Sequence, residues 1–147
     1  MKRYEKQERK GDNVKVYAVI DTNVLVSAML THNLESATTK TIEAIVTGKI
    51  QPLYNPEIIE EYEDVLYRKK FDLDDDDVSQ MIRFIIQVGI NVERTKRIEV
   101  FPDPSDAVFY EVALSKEGSF VVTGNLRHFP KSPIVVTPSE ILEIIGL

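Results

Sequence analysis

Asp21, Asp103 and Asp106, with a choice of glutamates at 61 and 63, are the residues of this sequence whose types and places could do chemistry. Asp21 ends an unbroken apolar run, Val16-Tyr17-Ala18-Val19-Ile20, and is followed by Thr22 and Asn23, both able to cap a helix. Asp103 and Asp106 open another helix as Asp-Pro-Ser-Asp. Behind them Ala107, Val108, Phe109, Tyr110, Val112, Ala113 and Leu114 are apolar nearly all round, which predicts deep burial. Two carboxylates at the mouth of a buried helix repel one another unless a cation or donors balance them. Carboxylates gathered with water suit hard divalent cations, Mg²⁺ or Mn²⁺. Asn125, after a second strand-to-loop junction, offers either a turn residue or a neutral carbonyl oxygen to a metal.

Each of these residues also has a purely structural reading. Asp21 alone fits an Asx-type turn. Thr137-Pro138-Ser139-Glu140 repeats the form of Asp103-Pro104-Ser105-Asp106, and both fit the capping box, so capping by itself accounts for Asp103 and Asp106. On the helix that starts at Pro56, the apolar stripe is Ile58, Ile59, Tyr62, Val65 and Leu66. Glu60 points away from that stripe, while Glu61 and Glu63 flank its two edges; spacing does not choose between them. The acid run Asp72, Asp74–Asp77 is not a calcium loop, because Asp77 stands where glycine is needed and Arg83 where glutamate is needed. It reads as a solvated helix start facing Arg68, Lys69 and Lys70. His128 suits a phosphate contact or an exposed loop. There is no glycine-rich phosphate loop and no G-x-S-x-G elbow.

The elements that must position these residues alternate. Strands are expected at 16–20, 50–54, 90–92, 119–123 and 134–136, with Pro52 suiting an edge strand or an early exit. Helices are expected after Asp21, from Ser36 to Gly48, from Asn55 to about Lys70, from Asp74 to Gly89, from Asp103 to near Gly118 and from Thr137 onward. Such alternation predicts an α/β fold with a mainly parallel central sheet covered on both faces. Asp21 then sits beyond the carboxyl end of a strand, where open α/β sheets bind ligands.

Composition bounds the rest. The 147 residues suit one domain, here 15–147, preceded by a basic N-terminal arm over 1–14 that reads as partly disordered. Residues 1–15 carry six basic and three acidic side chains (+3), and residues 16–147 carry twelve and twenty-one (−9). An acidic body argues against a DNA-coating protein, although metal ions let an acidic site approach nucleic acid. No apolar run spans a membrane and no secretory signal opens the sequence. The lack of cysteine excludes thiolate metal sites and fits the cytoplasm. Two histidines, His32 and His128, do not make a zinc site.

Four segments in order, AVIDTNVLVSA (18–28), EEYEDVL (60–66), DPSDAVFYEVAL (103–114) and VVTGN (121–125), resemble a PIN domain, the nuclease fold of many bacterial and archaeal toxin–antitoxin pairs. The resemblance covers about 16–136, and the TGN segment followed by His128-Phe129-Pro130 is similar to the VapC-like toxin branch. It implies a three-layer α/β/α sandwich and metal-dependent hydrolysis of RNA, the single-stranded form being favoured. Asp21, Glu61 and Asp106 would be the catalytic, metal-binding acids, with Asp103 a further ligand or cap. Asn125 stands where many PIN domains carry a fourth acid, which removes one charge from a second metal site. Thr22, Asn23 and Thr123 match polar positions that orient the acids or bind substrate, and Arg127 and His128 join them as substrate contacts. The branch implies an antitoxin partner and leaves room for a homodimer. A PIN-like binding module without catalysis is the rival expectation, and Asn125 is its main support.

Overall fold

The computed structural model describes residues 15–95, 101 and 103–147. The arm expected over 1–14, and Lys96 and Arg97 of the basic loop, lie outside the described residues. Among those described there are five strands and six α-helices: β1 (Val16–Ile20), α1 (Thr22–Leu30), α2 (Ala37–Val46), β2 (Ile50–Tyr54), α3 (Pro56–Leu66), α4 (Asp75–Val88), β3 (Ile90–Asn91), α5 (Pro104–Leu114), β4 (Ser119–Val122), β5 (Val135–Val136) and α6 (Pro138–Ile144). The strands form one sheet in the order β3-β2-β1-β4-β5, and every pairing is parallel. The helices flank it in a three-layer α/β/α arrangement. Ala18, Val19 and Ile20 are fully buried, as a central strand covered on both faces requires.

Pro52 corrects one expectation. β2 lies inside the sheet, not at its edge. Its pairing with β1 ends at Ala18 opposite Pro52, and from Leu53 it pairs with β3. Tyr54 O accepts from Val92 N at 2.8 Å, so Pro52, two residues earlier, turns its backbone the same way. The N–H that proline lacks thus falls just before β3 begins, where no acceptor needs it. Gly89 stands over this point. A Cβ there would lie 2.6 Å from Ile85 O and 2.7 Å from Pro52 O, so only glycine lets the end of α4 approach β2.

Two helices stop sooner than expected. α3 ends at Leu66, where its apolar stripe ends; Lys69 and Lys70 are exposed and have no face to bury. α5 ends at Leu114, and Ser115 Oγ donates to Glu111 O at 2.7 Å, closing its last turn. Asp74 caps α4 by accepting from Asp76 N and Asp77 N, so the acid run is a helix start as expected. Arg68 does not face that run; it pairs with Asp64 one turn back at 2.8 Å.

Candidate functional site

The chain turns from one half of the sheet to the other between β1 and β4, so the crevice of the fold opens beyond the ends of these two strands. Asp21 sits there, 6% exposed. Its N–H extends the sheet to Val122 O at 2.9 Å, and its carboxylate accepts from Thr123 Oγ1 at 2.7 Å and Asn23 Nδ2 at 3.1 Å. Thr123 is fully buried and accepts in turn from Asn125 N at 2.9 Å, while Asn23 Oδ1 accepts from Gly124 N at 3.3 Å. Asn23 therefore clasps the ends of both strands. The helix cap differs from expectation: Asp21 is the cap position, and Thr22 and Asn23 lie inside α1. The Thr22 hydroxyl is buried without a partner. Burial raises the Asp21 pKa above that of a free aspartate, against the Thr123 hydrogen bond and the nearby N–H groups of Thr22 and Asn23.

α3 enters because β2 has left. The Ile20 carbonyl faces the side of β1 where pairing stopped at Ala18, and Tyr62 Oη donates to it at 2.5 Å. Tyr62 is fully buried, its phenol held protonated by burial and the Asp21 charge. Asn55, accepting from Ile58 N at 2.8 Å, and Pro56 fix where this helix starts. Glu61, next to Tyr62, is half-buried and turned to the crevice, whereas Glu60 and Glu63 are exposed. Burial, Asp64, Asp103 and Asp21 raise its pKa, and Arg68 opposes them. Of the two edge glutamates, Glu61 is the one that is half-buried and feels the charges of Asp21 and Asp103.

α5 supplies the other two acids. Asp103 caps it by accepting from Ser105 N at 3.0 Å and Ser105 Oγ at 2.9 Å, which holds its carboxyl below the usual range. The expected capping box is absent at Asp106: its Oδ2 is buried with no hydrogen-bond partner, and 14% of its side chain is exposed. Glu140 does form the box, with Thr137 N donating to Oε1 at 2.8 Å and Glu140 N to Thr137 Oγ1 at 3.1 Å. Glutamate has the extra methylene needed to reach back over the cap; aspartate stops short. Burial and the charges of Asp21, Asp103 and Glu61 push the Asp106 carboxyl up to about 6, with His128 opposing. His128 Nδ1 stands 3.7 Å from Asp106 Oδ2.

Asp21, Glu61, Asp103, Asp106 and His128 therefore share one electrostatic environment. Asn125 is joined to it through its N–H on Thr123 and lies with Asn23, Ser27 and Thr38 along a cavity of about 210 Å³. Arg127 lines another, of about 420 Å³. Among the described residues no three His, Asp or Glu side chains are spaced to hold an ion as they stand. The donor set nevertheless fits a hard divalent cation in kind: all-oxygen, anionic, and including a buried carboxylate oxygen with nothing bound to it.

Sequence reasoning missed the ion pairs that brace this site. Glu111, 3% exposed within α5, accepts from Arg94 Nε at 2.7 Å, and Arg94 Nη1 reaches Glu57 of α3 at 2.6 Å. The signal was present: an acid within the apolar stretch that follows Asp106 demands a cationic partner. Tyr62 was read as core alone, and its hydroxyl does more.

No curated protein matches the chain closely enough to count as a relative. Residues 17–127 match the model of a PIN domain, and that span runs from β1 through α3 and α5 to the turn carrying Arg127, taking in Asp21, Glu61, Asp103 and Asp106. With its parallel five-stranded sheet and its acids at the ends of the central strands, the chain belongs to the PIN domain family.

Proposed function

We propose that this protein is a metal-dependent endoribonuclease that hydrolyses phosphodiester bonds in single-stranded RNA with Mg²⁺ or Mn²⁺. Membership of a nuclease family supports the coarse activity. One observation carries the finer reading: the buried, unpartnered Oδ2 of Asp106 amid the charges of Asp21, Asp103 and Glu61. Such an arrangement is unfavourable by itself and is relieved by a bound cation. Asp21, Glu61 and Asp106 would hold the ion, with Asp103 beside them. A divalent ion there would polarise the phosphodiester and acidify an attacking water. The chain's own groups do the rest. Thr123 and Asn23 fix the Asp21 carboxylate, Tyr62 fixes the segment bearing Glu61, and His128 offers a donor beside Asp106 at the crevice edge. Thr22 and Asn125 are polar contacts for substrate.

The toxin role, an antitoxin partner and a homodimer rest on the VVTGN and HFP resemblance. A cytoplasmic place suits RNA as substrate; among the described residues no helix is long and apolar enough to cross a membrane. The domain would comprise 15–147. The non-catalytic binding module remains the second reading, favoured by Asn125 in the fourth position and by the open spacing of the acids.

The test uses the two helix-start acids. Asp106→Asn should reduce Mn²⁺-dependent cleavage of single-stranded RNA by orders of magnitude, whereas Glu140→Gln, which loses only a capping box, should stay near wild type. EDTA serves as the blank. Equal activity in the two variants removes Asp106 from the site, and RNA binding without cleavage under either metal establishes the binding module.

A further inference from the structure

The cavity that contains Arg127 is walled by Leu126, Phe129, Pro130 and Val135, with Lys131 as its second charged residue. Its volume of about 420 Å³ falls in the range of small-ligand sites. Both of its charges are positive, in a chain whose net charge is −6. Among the described residues neither Arg127 nor Lys131 is engaged in an ion pair.

The cavity is tied rigidly to the acid site. Residues 126–128 form one 3₁₀ turn, with His128 N donating to Asn125 O and Phe129 N to Leu126 O. Arg127 thus faces the cavity while the next residue, His128, stands 3.7 Å from Asp106. Phe129 is buried, packs edge-on against Phe101 at 6.1 Å, and Phe101 packs against Tyr110 of α5 at 5.8 Å. The helix that carries Asp106 therefore also anchors the cavity wall. Most of that wall lies past residue 127, where the matched span ends.

We infer that this cavity is a nucleotide-binding subsite, which takes one base of single-stranded RNA against Leu126, Phe129, Pro130 and Val135 and its flanking phosphates on Arg127 and Lys131. An apolar wall with a basic rim is the complement of a nucleotide, whose base has an apolar face and whose backbone is anionic. A strand seated there continues past His128 directly to Asp106. The subsite rests on the nuclease reading for its substrate but not for its measurement.

Binding is measured by anisotropy of a short fluorescein-labelled single-stranded RNA of mixed sequence, with Mn²⁺, in the full-length Asp106→Asn protein so that the probe survives. Adding Arg127→Ala and Lys131→Ala together should weaken binding about tenfold and flatten the salt dependence by about 1.4 in the log–log slope, about 0.7 per phosphate contact. Leu126→Asp, at a residue 44% exposed and so tolerant of change, should weaken binding comparably. The same RNA rendered abasic should bind weakly to the parent and lose nothing further with Leu126→Asp. Lys69→Ala with Lys70→Ala, an equal loss of charge elsewhere, should leave binding intact. Unchanged affinity in the Arg127/Lys131 and Leu126 variants overturns the subsite while leaving the nuclease reading standing. Wild-type protein that cuts no RNA yet loses binding with these variants ends the nuclease reading and upholds the subsite.

Discussion

Asp106 and Glu140 hold the same position in two proline-initiated helices, and one methylene separates a capping residue from a carboxylate with a buried free oxygen. The consequence is measurable without any substrate. The Asp106 carboxyl titrates at about 6 in the fold against 3.8 when free, so the folded chain holds more protons between those values. Stability therefore falls as pH rises through that window and the penalty is complete above it. In EDTA, Asp106→Asn should be more stable than wild type by about 1–2 kcal/mol near neutral pH, after allowance for partial solvation, with the gap closing toward about pH 4. Urea unfolding at a series of pH values checks this, and a gap that ignores pH would refute it. Thr123→Val should act in the opposite direction, costing about 1–3 kcal/mol because Asp21 keeps its burial and loses its shortest donor. At this scale the sequence exposed the acids and their company. It hid which oxygen was satisfied, since Asp-Pro-Ser-Asp and Thr-Pro-Ser-Glu differ only in reach.

At the scale of elements, β-branched runs and the capped starts at Ser36, Asn55 and Asp74 were legible because short-range rules decide them. Partners distant in sequence were not. Pro52 carries a local prohibition against ladder pairing, and only the late start of β3 removes it. The choice of Glu61 over Glu63 depends on Tyr62 anchoring to Ile20, 42 residues away. Tyr62→Phe should leave that carbonyl buried and unsatisfied, costing about 1–3 kcal/mol. Arg94 joins α3 to α5 through Glu57 and Glu111, the two helices that carry Glu61 and Asp106. Arg94→Ala should destabilise by about 1–3 kcal/mol through the charge-assisted bonds to Glu57 and Glu111 that it removes, and the same change should cost less in a Glu111→Gln background. A thermodynamic cycle of the two variants reads the coupling; additive losses would mean the pair braces nothing.

Over the whole molecule, the sheet gathers four acids from three distant segments onto one crevice of a chain that is already anionic. Millimolar Mg²⁺ or Mn²⁺ should raise the melting temperature, and Asp21→Asn should blunt the rise, because the ion relieves a repulsion present only in the folded state. Melting curves indifferent to both ions would remove the cation-binding role from these acids. The hydrogen bond from Thr123 to Asp21 spans 102 residues, and Asn23 reaches Gly124 across 101. During synthesis, Asp21 is thus among the first reactive groups made and the last to be held. A nascent chain that stops before Thr123 would carry all four of these acids but lack the shortest donor to the first of them. For a protein whose proposed target is RNA, that order means that the site is completed only when nearly the whole domain has been made.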